Sequence, residues 1–184
     1  MFLFNKSSHF NLANLVTFFN IAAGMMAIYY LTHDNFLASA LFAWLAGGFD
    51  IVDGKIARKY NLSTEFGIQL DSFADFLSFV IVPSMFIFFA VIDGKELMLF
   101  TPLVAFAFIY YVISGLRRLI QFNINAQEGS VEKYFTGVPT PLGAILLWVV
   151  YLIWLTGIIN ENIVLISMIV IGYLLNSKLK IKHP

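Results

Sequence analysis

The chain has 184 residues, of which 60% are hydrophobic, 17% aromatic and only 12% charged, with a formal net charge of zero. A soluble domain of this size could not bury so much apolar surface, so the composition predicts an integral membrane protein. The zero net charge argues against a nucleic-acid-binding protein, and the absence of cysteine excludes disulfides and thiolate chemistry.

Apolar residues occur in continuous runs of about 20 residues, the length that crosses a bilayer as a helix. Such runs favour helices over a β-barrel, whose strands would alternate apolar and polar residues. We therefore predict an all-α integral membrane protein, and the length of the chain predicts a single domain, residues 1–184. Its six transmembrane helices are predicted at about residues 12–31, 36–60, 65–91, 97–123, 142–156 and 162–176.

The first predicted helix carries a polar stripe at helical spacing, formed by Asn14, Thr17, Asn20 and Gly24. Such a stripe suits hydrogen bonding and close packing between membrane helices. The same stripe could equally form one wall of a polar pocket. On that second interpretation Thr17 and Asn20 are candidate pocket residues.

The second predicted helix ends in an acidic motif. Asp50 and Asp53 are three residues apart and therefore share one helix face. Gly54, Ala57 and Arg58 continue that face toward the end of the helix.

The third predicted helix carries a matching stripe, because Gly67, Asp71 and Asp75 follow one another at four-residue spacing. A short turn makes these two helices antiparallel neighbours, which brings four carboxylates together. Thr64 or Ser63 is the predicted N-cap of the third helix, and a helix N-terminus favours phosphate. Proline 83 is expected to kink this helix.

Four carboxylates close together within a membrane need a counter-charge, since one intramembrane aspartate costs about 2.5–3.5 kcal/mol on insertion scales. Oxygen ligands at this density suit Mg²⁺ or Mn²⁺. Two such ions would cancel the four charges and could clamp the oxygens of a phosphoryl transfer. The neighbouring Gly54 and Gly67 either pack against other helices or let a bulky anionic substrate approach.

The fourth predicted helix ends in a polar segment that contains Arg118 and Asn123. Arg118 either belongs to the basic flank of a membrane helix or recognises a carboxylate or phosphate. Asn123 could line the same pocket. Residues 124–136 are predicted to form a polar connection, and the prolines of residues 137–141 to break the chain before the fifth helix.

The distribution of Lys and Arg predicts the orientation. Ten of these 11 residues fall on the side that holds both termini and the connections between helices 2 and 3 and between helices 4 and 5. Only Lys95 falls on the other side. The positive-inside rule therefore places both termini and the acidic motif on the cytoplasmic face of the cell membrane. Arg58 there either extends to the membrane surface or contacts a bound phosphate.

Residues 50–75 match the pattern D-x2-D-G-x2-A-R-x8-G-x3-D-x3-D at every specified position. On this motif the chain resembles the CDP-alcohol phosphotransferase family. The resemblance implies six helices, a homodimer, and a cavity open to the cytoplasm and to lipid. It also implies an enzyme that moves a phosphate-linked group from a CDP-alcohol to a second alcohol, releases CMP and uses two Mg²⁺ or Mn²⁺ ions.

Carried over position by position, the resemblance implies that Asp50, Asp53 and Asp71 hold one metal ion. Asp75, with Asp50 and Asp71, would hold or border the second ion and would also accept the proton of the attacking alcohol. The candidate nucleotide- and diphosphate-binding residues are Thr17, Asn20, Asp53, Gly54, Ala57, Arg58 and Gly67.

A second set of segments narrows the substrate. Residues 118–123 (R-L-x2-F-N) and 135–141 (F-x-G-x-P-x-P) resemble segments of bacterial and archaeal phosphatidylserine synthases. This implies CDP-diacylglycerol as the donor and L-serine as the acceptor, with Arg118 and Asn123 as candidate serine-binding residues. The alternatives are a family member that makes phosphatidylglycerophosphate or an inositol-phosphate lipid, or a divalent-cation transporter.

Overall fold

The computed structural model describes residues 2–5, 8–93, 101–127, 134–178 and 180–182. Nearly all of this part of the chain is helical, which confirms the all-α prediction. A 3-10 turn at Phe2–Phe4 comes first. The longer elements are α1 (Leu12–Leu31), α2 (Phe36–Lys59), α3 (Glu65–Asp75), a π-helical segment (Phe76–Ile81), α4 (Val82–Ile87), a second π-helical segment (Phe88–Ile92), α5 (Thr101–Gln127), β1 (Tyr134–Thr136), α6 (Thr140–Leu155), α7 (Glu161–Leu175) and β2 (Lys180–Lys182).

The contacts within the chain group into two compact units, Met1–Val82 and Pro83–Pro184. The first unit contains the whole acidic motif, and the second contains Arg118 and Asn123. The single catalytic domain expected from the sequence stays a prediction.

In the first unit, α1 and α2 form an antiparallel pair. The side chain of Asn11 accepts a 3.0 Å hydrogen bond from the backbone of Asn14 and so caps α1. The turn between the helices contains Asp34 in the left-handed region, with φ of 57°. Rings of the two helices pair along the seam, with Phe19 5.9 Å from Phe49 and Tyr30 5.3 Å from Phe42 between ring centroids.

The π-helical segment that follows α3 packs closely against α1 at Gly24, a residue without a side chain. A Cβ on Gly24 would lie 3.1 Å from the Leu77 side chain, which is tighter than ordinary packing. One turn earlier on α1, Asn20 is fully buried, and its Oδ1 accepts a 2.6 Å hydrogen bond from the Ser78 hydroxyl. Small residues therefore let the two backbones approach closely, as is typical of membrane helices.

The helical stretch from Glu65 to Ile92 contains two π-helical segments, and the first of them directly precedes Val82 and Pro83. In that segment the Val82 amide donates to Leu77, five residues earlier. A proline ring clashes with the carbonyl four residues before it, and a wider turn relieves that clash. The kink expected at proline 83 itself stays a prediction.

In the second unit, glycines let α5, α6 and α7 approach closely. A Cβ on Gly172 would lie 3.0 Å from the ring of Tyr110, and one on Gly143 would lie 2.8 Å from the Leu175 side chain. Gly137 has φ of +89° and lies so close to the carbonyl of Leu175 that a Cβ would lie 2.6 Å from its oxygen. This residue begins the turn that leads into α6.

The boundaries predicted for the first three helices agree with the structure within one residue at each end. The apolar span within α5 ends at Ile124, within one residue of the predicted end of the fourth span, but the helix itself continues to Gln127, into the predicted polar connection. The added residues include alanine and glutamine, which are good helix formers, and no glycine or proline interrupts them. Its predicted start, at about residue 97, lies outside the described residues.

The fifth helix also starts earlier than predicted. Pro139 is the N-cap of α6 and Pro141 lies in its first turn, where a proline costs no helical hydrogen bond. The break before this helix therefore ends at Pro139.

The structure also contains a two-stranded antiparallel ribbon that the sequence analysis did not predict. It is formed by β1 and β2, and Phe135 pairs with Ile181 in it.

Among the residues that the structure describes, four helical stretches are long and apolar enough to cross a membrane: Leu12–Leu31, Phe36–Lys59, Glu65–Ile92 and Pro102–Ile124. Thr140–Leu155 and Glu161–Leu175 are apolar but shorter. The chain thus has the helices of a multi-pass membrane protein, and the count of six spans stays a prediction.

Candidate active site in the first unit

The acidic motif folds into one cluster. Asp50 and Asp53 lie on α2 and Asp71 lies on α3, and each offers a carboxylate oxygen within 4.8 Å of the others. The turn between these helices makes this possible, because Asn61 adopts φ of 53° and reverses the chain. Thr64 then caps α3 by accepting a 3.0 Å hydrogen bond from the amide of Gly67, which confirms the predicted N-cap.

Asp75 lies one turn further along α3, and its side chain hydrogen-bonds that of Asp50. Two ionised carboxylates in direct contact repel strongly, so a proton or a cation must offset their charge. Oδ1 of Asp75 and Oδ2 of Asp53 are buried and have no hydrogen-bond partner among the described residues. Buried oxygens without a partner are rare in native proteins, where an ion or an ordered water usually contacts them.

These residues fit a divalent cation. The donors are hard carboxylate oxygens, which Mg²⁺ and Mn²⁺ prefer. A separation of up to 4.8 Å is close to the span of about 4.2 Å between opposite oxygens around Mg²⁺. Two of the four side chains also have an oxygen that lacks any other partner. The described part of the chain therefore provides a cluster that can hold divalent metal.

A cleft of about 560 Å³, including its open mouth, lies beside the carboxylates. We call it the acidic cleft. The predicted site residues along its walls are Thr17, Asp53, Gly54, Ala57, Arg58, Gly67 and Asp71. The wall residues that were not proposed as site residues are Ala13, Asn14, Leu62, Ser63 and Ile68.

The two motif glycines have different surroundings. A Cβ on Gly67 would lie 2.8 Å from the Asn14 carboxamide oxygen, so this glycine lets α3 approach α1. A Cβ on Gly54 would meet only the guanidinium of Arg58, at 3.6 Å. Helix packing therefore accounts for Gly67, whereas the space beside Gly54 belongs to the acidic cleft.

The end of α1 at the acidic cleft is held by asparagines. Asn14 donates a 3.0 Å hydrogen bond to the carbonyl of His9, and Asn11 donates a 3.4 Å bond to the carbonyl of Leu62. Asn14 belongs to the polar stripe seen in the sequence, so that stripe could have identified it as a wall residue of the acidic cleft. The aliphatic wall residues carried no such signal, because an apolar residue in a membrane helix is unremarkable.

Thr17 and Asn20 have different surroundings although both belong to the polar stripe. Thr17 lines the acidic cleft, donates to the carbonyl of Ala13 at 3.2 Å and contacts the Asp53 carboxylate. Asn20 is absent from the cleft walls and is fully buried against Ser78. The structure thus places only Thr17 where the predicted nucleotide contact needs it.

The predicted serine-binding residues lie in the second unit. Arg118 is only 7% exposed, and its Nε donates a 3.3 Å hydrogen bond to the carbonyl of Val138. Basic residues at the flank of a membrane helix extend to the interface, so this burial argues against that interpretation of Arg118. Asn123 is partly exposed near the end of α5.

Comparison with known proteins identifies the family. The family model for CDP-alcohol phosphatidyltransferase matches residues 10–174, which is most of the chain and includes the acidic cluster. The chain belongs to the CDP-alcohol phosphatidyltransferase family. This confirms the resemblance that the motif at residues 50–75 indicated.

Members of this family with assigned activities resemble the chain over most of its length. It is 32% identical to the CDP-diacylglycerol–serine O-phosphatidyltransferase of Bacillus subtilis, over 92% of this chain and 88% of the relative. It is 30% identical to the archaetidylserine synthase of Methanothermobacter thermautotrophicus, over 95% of this chain and 70% of the relative. The Helicobacter pylori enzyme with the same name as the Bacillus one is 33% identical, and the match spans 54% of its length.

Proposed function

We propose that this chain is a CDP-diacylglycerol–serine O-phosphatidyltransferase. Two related proteins that match over most of their length are named as serine-using enzymes of this family. The observation that carries the chemistry is the acidic cluster beside a cleft that also contains Arg58. Anionic and cationic groups side by side suit a diphosphate whose charge is shared between metal and guanidinium.

In the proposed reaction the serine hydroxyl oxygen forms a bond to the phosphorus of the phosphatidyl group. The bond from that phosphorus to the oxygen shared with CMP breaks, and CMP leaves with that oxygen. The proton of the serine hydroxyl passes to a carboxylate, for which we propose Asp75. Its buried Oδ1 without a partner is an acceptor available for that proton.

Asp50, Asp53 and Asp71 would hold the divalent metal, with Asp75 beside a second ion. Bound there, Mg²⁺ or Mn²⁺ supplies positive charge that polarises the diphosphate and offsets the charge that develops on CMP. Thr17 and Arg58 line the acidic cleft, where a hydroxyl and a guanidinium can donate to phosphate oxygens. The space beside Gly54 admits the nucleotide without a clash.

The remaining parts of the proposal concern the second substrate and the assembly. Arg118 and Asn123 are proposed to recognise serine, because a planar guanidinium suits its carboxylate. The enzyme is proposed to act as a homodimer in the cytoplasmic membrane, with its active site and both termini on the cytoplasmic side. The ten-to-one distribution of basic residues supports that orientation.

An acceptor panel tests the proposal. Purified protein is incubated with CDP-diacylglycerol, Mg²⁺ or Mn²⁺, and either L-serine, glycerol 3-phosphate or inositol phosphate, and CMP release is measured. We expect release with serine and its loss on chelation. Release with glycerol 3-phosphate or inositol phosphate alone would assign a different acceptor. Metal flux into proteoliposomes in the absence of any CMP release would instead support a transporter.

A further inference from the structure

Asn20 has a side-chain donor whose partner is missing. It is fully buried, and its Oδ1 is occupied by the Ser78 hydroxyl at 2.6 Å. Its Nδ2 is buried and has no hydrogen-bond partner among the described residues. Because the Ser78 bond fixes the amide, its N–H groups point away from Ser78. A buried amide donor that is held in place but unused is costly, and an ordered water or a bound group commonly satisfies it.

The helix register places Asn20 beside the inner carboxylates. Thr17, Asp53 and Asp71 form an outer layer along the acidic cleft, since Thr17 contacts Asp53 and Asp53 lies near Asp71. One turn further into the unit on each helix lies an inner layer formed by Asn20, Asp50 and Asp75. Within this inner layer the side chains of Asp50 and Asp75 are in contact.

Packing between α1 and α3 supports this placement. Gly67 of α3 meets Asn14, and Ser78 of the following π-helical segment meets Gly24, so this continuous helical stretch and α1 run in the same direction with matched levels. Asn20 lies between those two contacts and is therefore level with the residues just before Ser78. Asp75 is the last residue of α3 and precedes Ser78 by three residues.

The inner layer thus has a buried donor without a partner, Nδ2 of Asn20, and a buried acceptor without a partner, Oδ1 of Asp75. The two do not bond each other. A hydroxyl group satisfies both, because its oxygen accepts from the amide while its hydrogen is donated to the carboxylate. We propose that Asn20 and Asp75 hold the hydroxyl of the acceptor alcohol between them, with Asn20 orienting the oxygen toward the phosphorus.

This inference rests on the proposed transfer to an alcohol, and it moves Asn20 from the nucleotide to the acceptor. The amide accepts no proton during the reaction. It restricts the oxygen to one orientation, in which a lone pair faces the phosphorus while the proton faces Asp75. Positioning of this kind raises the rate by reducing the entropy lost on reaching the transition state.

The test compares Asn20→Leu, which keeps the side-chain size but removes the amide, with Ser78→Ala, which keeps the amide but frees it to rotate. The matched control is Ser39→Ala. Ser39 has a buried hydroxyl without a partner in the same unit, and it lies near the opposite end of the α1–α2 pair from the cluster. For each variant we measure KM and kcat for serine and for CDP-diacylglycerol, the affinity for CMP, and the thermal midpoint in detergent.

We expect Asn20→Leu to lower kcat/KM for serine by about 10-fold or more, the effect of one lost hydrogen bond. Ser78→Ala should show a smaller loss in the same direction, and Ser39→Ala none. CMP affinity and KM for CDP-diacylglycerol should stay within about twofold of the unaltered protein, a split that a merely structural role would not produce.

Several outcomes would overturn the inference. One is a loss of CMP affinity with serine kinetics unchanged, which would return Asn20 to the nucleotide site. Another is unchanged kinetics in Asn20→Leu. If that variant does not fold, Ser78→Ala decides, and unaltered serine kinetics there would reject the role of Asn20. If the unaltered protein does not use serine, the proposed acceptor is wrong, and the same comparison is made with the alcohol that it does use.

Discussion

The carboxamide oxygen of Asn14 lies 2.8 Å from the point where a Cβ on Gly67 would stand. The two residues are a close contact between α1 and α3, and both line the acidic cleft. The Asn14 side chain is not free to move aside, because its Nδ2 donates to the carbonyl of His9 at 3.0 Å. The width of the acidic cleft is thus set by one glycine against one anchored asparagine.

We therefore expect Gly67→Ala to destabilise the protein by about 1–3 kcal/mol, the usual effect of overpacking. Thermal unfolding in detergent measures this change. Activity should fall together with stability, because α3 carries two of the four carboxylates. An unchanged thermal midpoint would show that Asn14 can move, and would contradict the packing role of Gly67.

Gly54→Ala should behave in the opposite way. Its new methyl group would meet only the Arg58 guanidinium at 3.6 Å, an ordinary contact, so the thermal midpoint should hold or rise slightly. The methyl group enters the acidic cleft, so KM for CDP-diacylglycerol should rise about 10-fold, a loss of about 1.4 kcal/mol in binding. Steady-state kinetics of CMP release, with Gly67→Ala measured alongside, distinguish the two glycines. Wild-type kinetics in Gly54→Ala would remove the nucleotide from this position.

Asp53→Asn should abolish most turnover while stabilising the metal-free protein. Removal of one of four neighbouring negative charges relieves repulsion that only a cation otherwise offsets. We expect CMP release to fall about 100-fold or more, since charge stabilisation by a bound metal is worth several kcal/mol. In chelator, the thermal midpoint should rise above that of the unaltered protein.

The control for this prediction is Asp34→Asn. Asp34 is exposed in the turn between α1 and α2, and its left-handed φ of 57° suits asparagine as well as aspartate. This variant should keep both activity and metal dependence. A similar loss in both variants would mean that the effect of Asp53→Asn is not local to the cluster.

Arg118→Lys should impair the enzyme although it keeps the charge. Arg118 is buried and donates from Nε to the carbonyl of Val138 at 3.3 Å, a bond that a lysine ammonium reproduces poorly. We expect KM for serine to rise about 10-fold, the effect of a lost charge-assisted hydrogen bond. Arg117→Lys is the matched control, because Arg117 is exposed on the same helix. If both variants keep the KM of the unaltered protein, Arg118 does not recognise serine.

Much of the fold is readable along the chain. The runs of apolar residues define the helices, and turn residues such as Asn61 and caps such as Thr64 mark their ends. These signals are local in the sequence, so they predict the helices and their ends without knowledge of the tertiary structure. Helix α5 extends into the predicted connection because polar residues continue a helix as readily as they form a loop when no glycine or proline intervenes. The pairing of β1 with β2 joins residues far apart in sequence, and no local signal predicts it.

At the site, helical periodicity alone was enough to group Asp50 with Asp53 and Asp71 with Asp75, and the motif spacing was enough to indicate the family. Which glycine serves packing and which leaves space for a ligand depends on the neighbouring helix. The same holds for the burial of Arg118 and for the amide of Asn20 without a partner. Periodicity predicts which residues share a helix face. Contacts between helices depend instead on the distance between their backbones. That distance is determined by the packing of all the side chains together, which only the tertiary structure shows.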